Sequence, residues 1–212
     1  MEQIAIIAVL IISIVLHEMA HGYAANALGD PTARLQGRLS ANPLVHLDPL
    51  GSVIIPALLF LSPGNFIFGW AKPVPYNPYN LNDQKWGEAK VAAAGPAVNV
   101  LLALIFGMII RFADVLSLSS SFVDLASYIV YINILLACFN MIPFPPLDGS
   151  KILMAFLPFN AQQQYRQMIA AVERYGFFVT FALIFLFINV FWGPFSEVVG
   201  AIFTVITGTH LF

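Results

Sequence analysis

The sequence predicts an all-α polytopic membrane protein, and three observations predict it. Hydrophobic residues make up 59% of the 212 residues and charged ones only 9%, against about 25% charged in an ordinary soluble domain. Mean hydropathy is +0.83, so most of the surface has lipid as its natural solvent. Uncharged stretches of spanning length recur along the chain, separated by short polar connections. At about 20 residues per crossing, five or six spans consume roughly half of the chain. The expectation is therefore one membrane-embedded domain over 1–212, with a core at 3–155, C-terminal helices at 175–212 and no separate soluble domain.

The first span follows from residues 3–16, which are uncharged, and from the apolar character that resumes up to Leu28. The segment lacks the positive flank of a secretory signal, and Gly29-Asp30-Pro31 ends the helix. Residues 49–71 are uncharged too, but Pro56, Pro63 and Gly64 argue against a straight helix. Residues 91–110 predict a span whose small-residue opening, VAAAGPA, suits close packing on a neighbour. Further spans are expected at 122–142 and 175–194, with 195–212 a sixth span or an interfacial helix.

Lysine and arginine are retained in cytoplasmic loops. Arg34, Arg38, Lys72, Lys85 and Lys90 precede the 91–110 span, Lys151, Arg166 and Arg174 follow the 122–142 span, and Arg111 stands apart. Placing both groups inside puts the N-terminus outside. The 49–71 segment then has positive charge on both flanks, which predicts a re-entrant or hairpin element. No basic run points to nucleic acid, and the single Cys138 excludes an internal disulfide.

The polar interruption of the first span reads His17-Glu18-Met19-Ala20-His21. Histidines at i and i+4 project about 40° apart on a helix, so both imidazoles can reach one cation. At Glu18 the carboxylate is too far round to ligate and reaches the water on the metal, where it acts as a base. Ionisable groups at this depth cost about 2.5 kcal/mol or more each, and a divalent cation offsets that cost. A catalytic zinc site has three protein ligands, so one more must come from His46, Asp48, Glu88, Asp124, Asp148, Glu173, Glu197 or His210. By depth and sidedness Asp148 fits best, because Pro143, Pro145 and Pro146 forbid a continuous helix and Gly149 permits a turn after the carboxylate. His46 is the second choice, and Asp48 a third.

These strings, together with Gly95-Pro-Ala-Val-Asn99, Asn140 through Gly149 and Phe68-Gly-Trp-Ala-Lys-Pro-Val-Pro75, resemble the site-2 protease family of intramembrane zinc metalloproteases, in its compact prokaryotic branch without PDZ or CBS domains. The resemblance covers about residues 10–155. It implies His17, His21 and Asp148 as ligands of one Zn²⁺, Glu18 as catalytic acid/base and Asn140 near the substrate or oxyanion. It implies a multi-pass protein of the prokaryotic cell membrane, its active site toward the cytoplasm, cutting transmembrane segments of other proteins. From the residues alone, Asn99 and Asn140 also suit interhelical hydrogen bonds. The competing function is a non-catalytic metal-binding membrane protein, such as an assembly factor or carrier. An unwound substrate is further expected to pair with an exposed edge in residues 49–80.

Overall fold

The computed structural model describes residues 2–40, 42–46, 48, 54 and 72–209. Seven α-helices form the described part: α1 (Glu2–Ala27), α2 (Thr32–Leu35), α3 (Gly87–Arg111), α4 (Ser120–Asn140), α5 (Asp148–Phe156), α6 (Phe159–Leu186) and α7 (Trp192–Thr207). One-turn 3₁₀ segments stand at Pro43–His46 and Pro78–Asn80, and a π-helical turn, Phe187–Phe191, joins α6 to α7. No strand occurs among the described residues. The 49–71 element expected to re-enter the membrane lies outside them.

Among the described residues four stretches are long and apolar enough to cross a membrane: Gln3–Ala27, Gly87–Arg111, Ser120–Asn140 and Asn189–Thr207. The first three match the sequence expectation within a few residues. The fourth overlaps both the span expected at 175–194 and the tail helix expected at 195–212. Residues 177–207 form a nearly continuous apolar stretch longer than one crossing, and its C-terminal part packs into the bundle. Val199 and Phe203 are buried with Ala103 and Ile110 of α3 and with Ala126, Val130 and Ile134 of α4. At Gly107 a Cβ would lie 2.2 Å from Ile206 Cγ2, so the missing side chain lets α7 approach α3.

Outward faces are apolar as well. Ile4 and Ile12 on α1 and Leu101 and Ile105 on α3 are exposed at 72%, 57%, 55% and 47%, which in water would be costly and in lipid is expected. Inside, polar side chains link the helices. Asn133 of α4 is fully buried and its Nδ2 donates to Ser13 Oγ of α1 at 2.9 Å. Cys138, a free thiol, packs against the α3–α4–α7 core as a small apolar side chain.

Helix α1 runs antiparallel to α3, since His17 meets Asn99 and His21 meets Val91. The C-terminal end of α1, the start of α3 and the end of α4 therefore lie at one end of the bundle. Past that end of α4 the chain turns through residues 141–147, whose three prolines remove the amide hydrogens that a continuing helix needs. Gly149 then lets α5 start hard against this turn: a Cβ there would lie 2.3 Å from Met141 O and 2.6 Å from Ile142 O.

Candidate metal centre

The interruption of α1 becomes a cluster with the start of α5. His17 Nε2 lies 3.1 Å from Asp148 Oδ2, His21 Nε2 lies 3.3 Å from the same oxygen, and the two Nε2 atoms are 3.1 Å apart. His17 and Asp148 are buried, at 6% and 8% exposure. Among the described residues this trio is the one group of His, Cys, Asp or Glu with donor atoms close enough to share a metal ion.

The outer nitrogens decide which atoms face inward. His21 Nδ1 donates to the Val91 carbonyl at 2.8 Å, and His17 Nδ1 donates to Asn99 Oδ1 at 2.9 Å. A carbonyl oxygen can only accept. In their neutral form both imidazoles then carry the hydrogen on Nδ1 and turn a lone pair inward on Nε2, the form that the partner on the other nitrogen favours for a metal ligand. Two such nitrogens and a carboxylate oxygen converge on one point, an arrangement that a divalent cation would satisfy.

Spacing agrees with such a cation. A tetrahedral ion with bonds of 2.0–2.1 Å holds its ligand atoms about 3.3 Å apart, and the three observed separations are 3.1, 3.1 and 3.3 Å. Space is provided by α3. At Gly95 a Cβ would lie 2.5 Å from His21 Nε2 and 2.6 Å from His17 Nε2, so only a glycine leaves the front of both lone pairs clear. Two imidazoles and one carboxylate are also a donor set suited to zinc.

Glu18 points to the flank of the histidine pair, and its Oε2 accepts a hydrogen bond from the Val74 amide at 3.0 Å. The structure does not bring every considered residue to the cluster. His46 is fully buried elsewhere, its Nε2 donating to the Ser40 carbonyl at 2.8 Å. Glu88 stands at the start of α3 facing Arg166 across 3.7 Å. Asp124 and Glu197 are exposed on α4 and α7, and His210 lies outside the described residues. Asn140 donates through Nδ2 to the Leu136 carbonyl of its own helix at 2.9 Å.

Two contributors escaped the reading of the sequence in this role. Asn99 was weighed as an interhelical hydrogen-bonding residue, and it is one, but its partner is His17. Gly95 stands in the small-residue run that predicted close packing and in the Gly95–Asn99 string of the resemblance, and neither assigned it this clearance. Val74 lies in the Phe68–Pro75 string of the resemblance, but the role of its amide had no signal, because a backbone amide leaves no mark in composition or periodicity.

Comparison with known proteins shows the family. Residues 5–122 and 107–187 match Peptidase family M50. The chain belongs to this family. It is 36% identical over 184 residues to "Putative zinc metalloprotease YwhC" of Bacillus subtilis, covering 84% of this chain and 78% of the relative. It is 28% identical over 186 residues to "Putative zinc metalloprotease Rip2" of Mycolicibacterium smegmatis, covering 85% of this chain and 66% of the relative. No solved structure matched the chain. Family membership makes the chain a metalloprotease of the site-2 type, as the resemblance implied, and makes zinc the metal such a site would hold. Members of the family are membrane proteins, in keeping with the four apolar helices.

Proposed function

We propose that this chain is an intramembrane zinc endopeptidase in which His17, His21 and Asp148 ligate one Zn²⁺ and Glu18 is the acid/base. The observation that carries the reading is the convergence of two imidazole Nε2 atoms and a carboxylate oxygen within 3.1–3.3 Å of one another in front of Gly95. When bound, zinc supplies Lewis acidity, polarising a scissile carbonyl and acidifying a water. Glu18 performs the proton transfers. With Oε2 held by the Val74 amide, Oε1 takes the proton of the attacking water and returns it to the leaving nitrogen. Asn99 and the Val91 carbonyl keep the imidazoles turned so that their lone pairs face the metal.

The substrate class follows from depth. His21 lies six residues and His17 ten residues before Ala27, the end of α1, or about 9 and 15 Å below that end at 1.5 Å per residue. A peptide bond reaching these side chains has entered the membrane, which favours transmembrane segments of other proteins as substrate. Such a segment must unwind locally, because a helix ties up its amides. Asn140 is the proposed substrate contact, and binding would turn its amide away from Leu136. Arg34, Arg38, Lys72 and Lys85 lie between α1 and α3, and Lys90 in the first turn of α3, at the end of the bundle nearest the site, while Arg111 closes α3 at the other, so the site is assigned to the cytoplasmic side with the N-terminus outside. The host membrane is the prokaryotic cell membrane.

Glu18→Gln tests this reading against a metal carrier or assembly factor. The endopeptidase reading expects the variant to keep its zinc and to stop cutting a co-expressed membrane substrate. Undiminished cleavage would overturn it.

A further inference from the structure

We propose that Asp30, together with the segment Lys72–Asn77, is a positioning device for Glu18. The inference rests on the assignment of Glu18 as acid/base and says what holds that carboxylate in place. Asp30 follows the C-terminal end of α1 and is fully buried. A buried carboxylate needs donors, and this one has four. Its Oδ1 accepts from Thr32 N at 3.2 Å, Thr32 Oγ1 at 2.6 Å and Asn80 Nδ2 at 2.8 Å, while Oδ2 accepts from the Asn77 amide at 2.6 Å. These bonds do more than end a helix: they fasten a segment 47 residues away in sequence.

That segment is fixed along its length. Lys72 N donates to the His46 carbonyl at 2.8 Å, and the Arg38 guanidinium donates to the Lys72 and Pro73 carbonyls at 2.9 and 3.3 Å. Val74 is buried against Gly22, where a Cβ would lie 2.8 Å from Val74 Cγ1. The Lys151 amino group, one helical turn beyond Asp148, lies 5.2 Å from the Tyr76 ring centroid. Pro73 and Pro75 flank Val74 and fix their own φ angles. With only Pro75 and Tyr76 between Val74 and Asn77, a shift at the Asp30 anchor reaches the Val74 amide with little slack. That amide is the donor to Glu18 Oε2, so loosening Asp30 frees a side chain with three rotatable bonds at the point of proton transfer.

The test uses the full zinc-loaded chain in lipid nanodiscs and a quenched-fluorescence transmembrane peptide. Asp30→Asn replaces one acceptor oxygen with a donor at nearly constant volume. Misplacement of a reacting group by about 1 Å costs up to 100-fold in rate, so kcat is expected to fall about 10- to 100-fold with KM and zinc per chain unchanged. Thr32→Val and Asn80→Ala, which each remove a donor to Oδ1, should lower kcat less and in the same pattern. A purely structural Asp30 would instead lose zinc or folded protein in proportion to activity, and that result overturns the proposal. If Asp30→Asn does not fold, the two milder variants decide, and unchanged kcat in both overturns it. Glu18→Gln runs in parallel. Wild-type kcat in Asp30→Asn beside an inactive Glu18→Gln defeats the positioning device alone, whereas an active Glu18→Gln defeats the assignment of Glu18 itself.

Discussion

Adding one methyl group at Gly95 should abolish high-affinity zinc binding while leaving the helices intact. The Cβ of Gly95→Ala would lie 2.5 Å from His21 Nε2 and 2.6 Å from His17 Nε2. Ordinary carbon–nitrogen contact needs about 3.5 Å, so each imidazole, or α3 itself, must move by about 0.9–1 Å. Metal–ligand distances tolerate only about 0.2 Å. The displacement therefore exceeds the tolerance several-fold and removes at least one ligand. Loss of a group that merely orients a ligand costs 10- to 100-fold in metal affinity, so displacement of a ligand should cost 100-fold or more. Competition with a chromophoric chelator on purified protein in nanodiscs measures this, with circular dichroism as the check on helicity. Gly107→Ala is the control, because its Cβ meets the β-branch methyl of Ile206, 2.2 Å from Cγ2, and no metal ligand; it should lower stability by about 1–3 kcal/mol and leave zinc affinity unchanged. Zinc affinity of Gly95→Ala within threefold of the wild type would refute the reasoning.

Asn99→Ala leaves the His17 Nδ1–H without its 2.9 Å partner and should weaken zinc 10- to 100-fold, read in the same chelator competition. Gly149→Ala drives a Cβ to 2.3 Å from the Met141 carbonyl oxygen; because that neighbour is backbone, the start of α5 must shift, carrying Asp148 with it, and zinc per chain should drop even in folded protein. Burial pushes the Asp30 carboxyl up, but its hydrogen bonds from Thr32, Asn77 and Asn80 outweigh that and hold it below the ordinary carboxylate range. Its contribution to stability is therefore whole above about pH 4, the unfolded value, and is lost as pH falls through the lower folded value. Thermal melts of wild type and Asp30→Asn should differ at pH 7 and converge in acid.

How much was legible in advance depended on how far apart in sequence the partners are. His17, Glu18 and His21 share one helical turn, so spacing alone placed them together. Asp148 is 131 residues from His17, yet the proline-rich break and the order of spans were enough to bring it to the right end of the bundle. The apolar stretch of more than 30 residues at 177–207 offers many equivalent windows for a crossing, and the contacts of Val199 and Phe203 with α3 and α4 show which part of it packs into the bundle. Asn99, 82 residues from His17, could be read as a hydrogen-bonding residue but not assigned a partner. Asp30 in Gly29-Asp30-Pro31 looks like a helix stop, which it also is. Its grip on Asn77 and the Val74 amide on Glu18 are backbone bonds across 47 and 56 residues, and backbone donors are the same in every sequence.

X-ray absorption at the zinc edge, on the wild-type chain in nanodiscs, tests the metal centre most directly. The account predicts one zinc per chain surrounded by nitrogen and oxygen alone at about 2.0–2.1 Å, with outer-shell scattering from two imidazoles. A sulfur neighbour, a third imidazole, or a chain that takes up no zinc would contradict it.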